Sequence, residues 1–464
     1  MVLSQGHRAA MEQAIRSLRG MSLNSFGNSI PHGICIPSLL GKQCQSRRLD
    51  AMTEHTQVTS PTNNSSGETA HLTQAYSANG KVVGLMVAVA LLVLSQLYLA
   101  IPLLSYVGQA FSPSTPGAVT FALATCFSLA YAGGFLIWGP LSDQYGRRPV
   151  ILIGLSALSV STLVCAMAPS LPWLAGLRII QGLAASSFAP VALAYLAEAM
   201  PARHRATAIG AMSTSFLVAG IFGQVLAGWM ALRWEWFWVF LATGASLIIM
   251  IPFISMMVKE PTRIAVDGHL GHRFVALGKL VAQPAILLLS CAHIMLLLSF
   301  VAMYTALGPH MMGLGLDPAK VIMLRLVGLP GMFMALLVGP LAVRIGMPGV
   351  AKMGYLVAAA GLALEVILSQ SLVGIAMGSL IFVTGVALAV PAMITQFGEL
   401  AVPNRAGGMA LNGFVLFVGA SIGPLIVAWV PGFTALLLGL TVALLLSIAC
   451  IAGSASLSAA RRKS

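Results

Sequence analysis

From Val82 onward, long apolar runs alternate with short polar connectors, and each run is long enough to cross about 30 Å of hydrocarbon as a helix. The runs fall near 82–107, 117–138, 149–168, 171–198, 206–230 and 236–258, then near 284–308, 319–341, 349–369, 371–397, 406–430 and 432–453. Inside lipid a backbone amide can pair only within its own segment or a closed barrel, so runs of this length are predicted to be helices. The pattern predicts an all-α integral membrane protein of 12 transmembrane helices, with both ends on one side. Its expected parts are a disordered leader over 1–80, a six-helix bundle over 81–258, a linker over 259–283, a second six-helix bundle over 284–453 and a tail over 454–464.

Composition agrees: the 464 residues are 58% hydrophobic and 8% charged, too few charges to clothe a soluble surface. The formal net charge of +13 has no amphipathic or aromatic-interleaved clustering, so no nucleic-acid partner is expected. The charges mark topology instead. Of the 25 Lys and Arg residues, seven lie in the leading segment up to and including Lys81, fourteen in the even-numbered connectors and the tail, and only Arg233 and Lys320 in the opposite connectors. This is the positive-inside asymmetry, and it predicts a multi-pass inner-membrane protein with both termini cytoplasmic. No signal peptide is read in the leader. The stretch from Met52 to Gly80 reads as an ordinary cytoplasmic leader, so translation starting at Met52 is an alternative. Cys126, Cys165, Cys291 and Cys450 fall inside spans as small apolar side chains; with Cys35 and Cys44 they show no metal-like pairing, and neither metal nor cofactor is expected.

The chain also repeats itself at a shift of 200 residues. Gly139, Pro140, Leu141 and Gly146 match Gly339, Pro340, Leu341 and Gly346; Arg205 and Ala206 match Arg405 and Ala406; Gly223 matches Gly423 and Trp229 matches Trp429. Two parallel six-helix halves imply a pseudo-two-fold axis along the membrane normal and a cavity between them.

The block Gly139-Pro-Leu-Ser-Asp143-Gln-Tyr-Gly146-Arg147-Arg148 resembles the signature between helices 2 and 3 of the major facilitator superfamily. With the spans, the repeat and the linker, the resemblance covers roughly 81 to 455 and implies that superfamily's fold and a transport function. It implies that Asp143 sits against the amino end of span 11, near Ala406 to Met409, where the helix dipole favours a negative charge. It further implies that a loop arginine, Arg147 or Arg148, pairs with Glu198 at the end of span 4, a latch on the cytoplasmic side; simple topology anchoring is the other reading of the arginines. In the second half Val343 replaces the aspartate, which implies a weaker latch or none. Leu177-Arg178-Ile-Ile-Gln181-Gly182 resembles the signature whose arginine accompanies proton coupling. Ala219, Gly220, Gly223, Gln224 and Gly228 resemble the antiporter signature of span 5, with Gln224 where proline is expected. The tracts 95–104 and 182–198 resemble prokaryotic efflux members of the sugar or arabinose efflux and drug:proton antiporter kind.

Polar residues inside spans complete the candidate site. Arg178 lies seven residues into its span and either faces the cavity or a partner, or snorkels outward; Arg325 either binds an anionic group or snorkels outward. His293 could titrate in a proton pathway or bond a backbone carbonyl. Glu365, on a span that is peripheral in the family, reads as a structural or interfacial acid rather than a coupling site. Gln96, Tyr98, Gln181, Gln224, Gln396 and Asn412 are candidates to line the cavity, or merely to join helices. The expected function is alternating-access transport of a small-molecule substrate, coupled to protons as efflux, by a monomer in the lipid bilayer. Proton-linked uptake and a non-transporting sensor are the alternatives, and no motif points to an enzyme.

Overall fold

The structure is a computed structural model that describes residues 78–261, 270–402, 404–430 and 432–463. The leader expectation and the question of Met52 fall on 1–77, outside the described residues. Among the described residues, eleven helices are long and apolar enough to cross a membrane. The longest, Pro318–Ile367, leaves helical geometry at Gly346, where φ is 73° and ψ 161°, and so supplies two spans, 8 and 9. The total is the expected twelve.

Span 1 is Gly80–Tyr98 continued by Ala100–Ala110; span 2 is Pro116–Tyr145; span 3 is Arg147–Cys165; span 4 is Leu171–Ala185 continued by Phe188–Ala199. Spans 5 and 6 are Ala202–Ala231 and Phe237–Met257. A helix the sequence pattern did not announce, Leu270–Val281, occupies the linker, with Leu280 buried and Lys279 exposed. In the second half, span 7 is Pro284–Gly313, span 8 begins at Pro318, and span 9 ends at Ile367. Spans 10, 11 and 12 are Leu372–Leu400, Arg405–Trp429 and Phe433–Lys463. Span 12 therefore runs helically through the segment expected to be a tail.

The repeat is visible in backbone geometry. Gly146, between spans 2 and 3, and Gly346, between spans 8 and 9, both hold positive φ, at 104° and 73°. Side chains rarely adopt that conformation, so glycine at the two matched turns has a steric cause. Packing repeats as well. A side chain at Gly223 would collide with the Ser95 carbonyl of span 1, 2.8 Å from its Cβ, and one at Gly423 with the Leu298 carbonyl of span 7, 2.9 Å away. Span 5 thus lies on span 1 as span 11 lies on span 7.

The outside of the bundle is apolar. Ile153, Val160, Ile249, Met256 and Leu446 are all exposed, as side chains facing acyl chains should be. Five exposed tryptophans, Trp173, Trp229, Trp234, Trp238 and Trp429, gather at the end opposite Asp143, where indole rings suit a membrane–water boundary. Arg233 lies there with its guanidinium 4.5 Å from the Trp229 ring.

Gly223→Val forces apart two helix backbones and should lower stability by about 1–3 kcal/mol. Gly439→Ala, with open space around its Cβ position, should be neutral. Thermal unfolding of the two purified variants in detergent micelles checks the contrast.

Candidate functional site

Between the two halves lies a cavity of about 760 Å³. It runs from Tyr98 and Phe300 at mid-span, past Phe135, Phe417 and Asn412, to Asp143, Arg147, Asn404 and Gly407 at the ends of spans 2 and 11. Leu277 of the linker helix borders the mouth, and Met409 beside it is exposed. The walls are overwhelmingly apolar: the polar side chains among them are Tyr98, Ser213 and Asn412 inside, with Asp143, Arg147 and Asn404 at the mouth.

At the mouth, the turn at Gly146 lets span 3 start immediately after span 2. Arg147 then reaches back to Asp143 at 2.5 Å and across to Glu198 at 2.7 Å. Its Nη1 also donates to Ser142 Oγ at 2.5 Å. Of the two loop arginines, Arg147 is the one that meets Glu198, while Arg148 donates from Nη2 to the Ser255 carbonyl at 2.7 Å. Glu260, at the end of span 6, went unrecognised in the sequence. Its two oxygens accept the backbone N–H groups of Arg147 and Arg148, each at 2.8 Å. A carboxylate on the first N–H groups of a helix satisfies orphan donors and meets the positive end of the dipole. An acid just past the end of span 6 was the only available signal, and nothing in sequence tied it to a turn more than a hundred residues away. Asp143 shares the mouth with Asn404 and Gly407, at the start of span 11. Val343, the repeat partner of Asp143, is 89% exposed.

Arg178 does not snorkel. It is fully buried, donating from Nε to the Leu123 carbonyl at 2.8 Å, from Nη1 to Gln181 Oε1 at 2.6 Å and from Nη2 to the Gln96 carbonyl at 3.0 Å. Leu123 sits in a π-helical turn, Phe121–Thr125, the kind of local distortion that leaves a carbonyl outside the helical ladder. Gln181 extends the cluster to Gln96 Oε1 at 3.2 Å and to Thr162 Oγ1 at 2.7 Å, and the Phe127 ring lies 4.2 Å from the guanidinium. One arginine thereby ties spans 1, 2 and 4, and Gln181 adds span 3. The cluster of Arg178, Gln181 and Gln96 stands outside the cavity lining.

Arg325 is also buried, and one of its bonds crosses between the halves. It donates to Gln224 Oε1 on span 5 and, from Nη2, to the Tyr304 carbonyl on span 7 at 3.2 Å. Gln224, standing where the antiporter pattern expects proline, is the acceptor that makes this crossing possible. Thr125 occupies the position 200 residues before Arg325, and it too crosses: its Oγ1 donates to the Ser421 carbonyl of span 11 at 3.0 Å. Spans 8 to 5 and 2 to 11 are thus bonded at repeat-matched positions, at the end away from Asp143.

The remaining candidates divide. Tyr98 and Asn412 line the cavity; Gln224, Arg325, His293 and Gln396 do not. Gln396 Nε2 donates back to its own helix at the Ala392 carbonyl, 3.4 Å away. Neither nitrogen of the fully buried His293 is hydrogen-bonded, so the carbonyl-bonded alternative is not what the structure holds. Glu365 is fully buried rather than interfacial, pressed against Gly378 of span 10, and neither carboxylate oxygen accepts a hydrogen bond.

Two six-helix bundles related by a repeat, enclosing a cavity that reaches one membrane face, define a membrane carrier. The chain belongs to the Major Facilitator Superfamily, whose family model matches residues 85–424. It is 27% identical over 323 residues, 66% of this chain and 76% of the relative, to the uncharacterized MFS-type transporter YybF of Bacillus subtilis. Shorter stretches match the gallate transporter of Pseudomonas putida (34% identical over 28% of this chain and 29% of that protein). The multi-drug resistance efflux pump PmrA of Streptococcus pneumoniae matches likewise (31% identical over 27% of this chain and 31% of that protein). Among solved structures, a bacterial homolog of the human lysosomal transporter Spinster, inward-facing and unoccupied, shares the fold. Its TM-score is 0.59 at 17% identity, covering 81% of this chain and 95% of that one. The chain is an MFS transporter and a multi-pass membrane protein.

Arg178→Met should take a donor from two buried carbonyls and leave the Gln181 amide oxygen with the Cys165 thiol alone. Abandoned buried acceptors cost about 1–3 kcal/mol each, offset in part by the desolvation the guanidinium no longer bears, so a net loss of about 1–3 kcal/mol is expected, read as a lowered thermal unfolding midpoint in detergent.

Proposed function

We propose that this transporter exports a small organic solute from the cytoplasm across the inner membrane by alternating access, in exchange for protons. The observation that carries the reading is a cavity between repeat-related bundles that reaches the Asp143 face. Its opposite end is crossed by the Arg325–Gln224 and Thr125–Ser421 bonds. Rocking the halves would break those crossings and expose the same cavity on the other side. The distribution of Lys and Arg supports placing the Asp143 face in the cytoplasm, and a cavity open there is one that loads from inside. PmrA, named an efflux pump, lends support to the outward direction. The network of Asp143, Arg147, Glu198 and Glu260 lies within the first half, so a latch of the cytoplasmic side works through Asp143 against the start of span 11, with that network holding the Asp143 turn in place.

Proton exchange needs a group whose charge can change with conformation. His293 and Glu365 are buried, titratable and without a hydrogen-bond partner, so a charge on either is costly in these surroundings and each is held neutral. A change of surroundings between the two conformations would load or release a proton there. Arg178, with its donors engaged by three fixed acceptors, serves better as the brace that holds spans 1, 2 and 4 while this happens.

Two measurements test the proposal. A cysteine at Leu416, on the cavity wall, in a background lacking native cysteines, should react with an impermeant thiol reagent from the cytoplasmic side. Gln224→Leu should raise its reactivity from the opposite side about tenfold, the equivalent of one hydrogen bond to a charged group. Unchanged sidedness would remove the crossing from the mechanism. In everted vesicles, an exported compound should dissipate an imposed proton gradient. Glu365→Gln or His293→Ala should reduce that proton movement at least tenfold, and flux of the opposite sense would favour uptake.

A further inference from the structure

The cavity wall contains an unsatisfied polar group, and its surroundings define what can satisfy it. Asn412 is 4% exposed and borders the cavity from span 11; its Oδ1 is enclosed and has no hydrogen-bond partner, so a ligand would meet it by rotation of the amide. An unpaired amide oxygen at that depth costs free energy until something bonds it. An asparagine side chain offers both an acceptor and donors, so it can meet a hydroxyl or an amide-type N–H. Around it, Phe135 and Phe417 lie 5.3 Å apart between centroids, and Tyr98 meets Phe300 edge-on at 5.9 Å. Such walls suit flat aromatic groups.

Charge is the second constraint. The charged side chains bordering the cavity, Asp143 and Arg147, stand at its mouth and are ion-paired with each other, Arg147 also with Glu198. Arg178 and Arg325 are off the wall, their guanidinium groups engaged elsewhere. An ionic ligand in the inner chamber would shed its water and meet no free countercharge there, a loss that uncharged ligands avoid. At about 760 Å³ the space holds a molecule of drug-like size.

We propose that the cavity is a binding site for neutral, largely aromatic or lipophilic molecules carrying one hydrogen-bonding group, and that Asn412 is the residue that recognises that group. The proposal rests on the transporter reading above and narrows it: carboxylate or sulfonate solutes and lipophilic cations are excluded as preferred cargo.

A matched set of probes tests it on the full-length protein in lipid nanodiscs. N-phenyl-1-naphthylamine is neutral, aromatic and carries one N–H. 1-Benzylnaphthalene replaces that N–H with a methylene group, and 8-anilino-1-naphthalenesulfonate adds a charge. Saturable binding above that of empty nanodiscs should favour the amine about tenfold over the methylene analogue, the worth of one net hydrogen bond. It should favour the amine at least as strongly over the sulfonate and over tetraphenylphosphonium. Asn412→Leu should abolish the preference between amine and methylene while both still bind, a readout that misfolding cannot imitate. Sulfonate or phosphonium binding as tight as the amine would overturn the neutral class, and a preference that survives Asn412→Leu would overturn the assignment to Asn412. The Leu416 cysteine separates the two levels: sidedness that still responds to Gln224→Leu while the probes fail sinks only the ligand class. Sidedness that never changes sinks the transport reading beneath it.

Discussion

Hydrocarbon offers no hydrogen bonds, and that constraint orders this molecule. Every polar atom within a span must find its partner inside the protein. Helices satisfy their own backbones, but a helix that bends or widens frees a carbonyl to accept from elsewhere, and a buried side chain can collect it. Arg178 collects two, the Leu123 carbonyl in the π turn of span 2 and the Gln96 carbonyl near the interruption of span 1 at Leu99. Distortion and arginine explain each other, since the guanidinium could not be buried without acceptors and the irregular backbone could not persist without donors.

The same rule makes the exceptions informative. Most buried polar side chains in the spans are satisfied locally: Ser95, Ser128, Thr243, Ser299 and Thr305 each return a hydrogen bond to the preceding turn of their own helix. Against that background, His293, Glu365, Asn412 and Tyr131 stand out as buried groups whose hydrogen-bonding capacity is left open. The first two can exchange protons and the third borders the cavity.

Much of this was legible before any coordinates. Hydrophobic run length gave the spans, and a shift of 200 residues gave the two halves, because membrane crossing and duplication both write long-range order into a linear string. The mouth was legible where its parts are local, as with Asp143, Gly146 and Arg147 on one turn. Glu260 was not, since a helix cap supplied from the far end of another helix leaves no spacing to read. Depth was also hidden. Residue counting put Arg178 and Arg325 within snorkelling reach of the surface, whereas neighbouring helices supply acceptors that keep both heads inside. The peripheral place of span 9 in the family suggested an interfacial Glu365, but glycines at 361 and 378 let spans 9 and 10 approach so closely that the carboxylate is sealed between them.

The repeat is kept in geometry and broken in chemistry, and the breaks have a direction. Gly146 and Gly346 turn alike, and Gly223 and Gly423 pack alike. Asp143, however, faces an exposed Val343 across the pseudo-axis, so the carboxylate at the mouth belongs to the first half. At the other end Thr125 and Arg325 both reach across to the opposite half, yet the guanidinium needs an acceptor of its own, and Gln224 provides it where the repeat carries Pro424. A strictly symmetric pair of bundles would have equivalent interactions on the two sides of the pseudo-axis. Here an ionic cluster held within one half marks the open end, and hydrogen bonds between halves mark the other. The two ends can therefore be tuned independently, which is what a carrier whose two faces see different solutions requires.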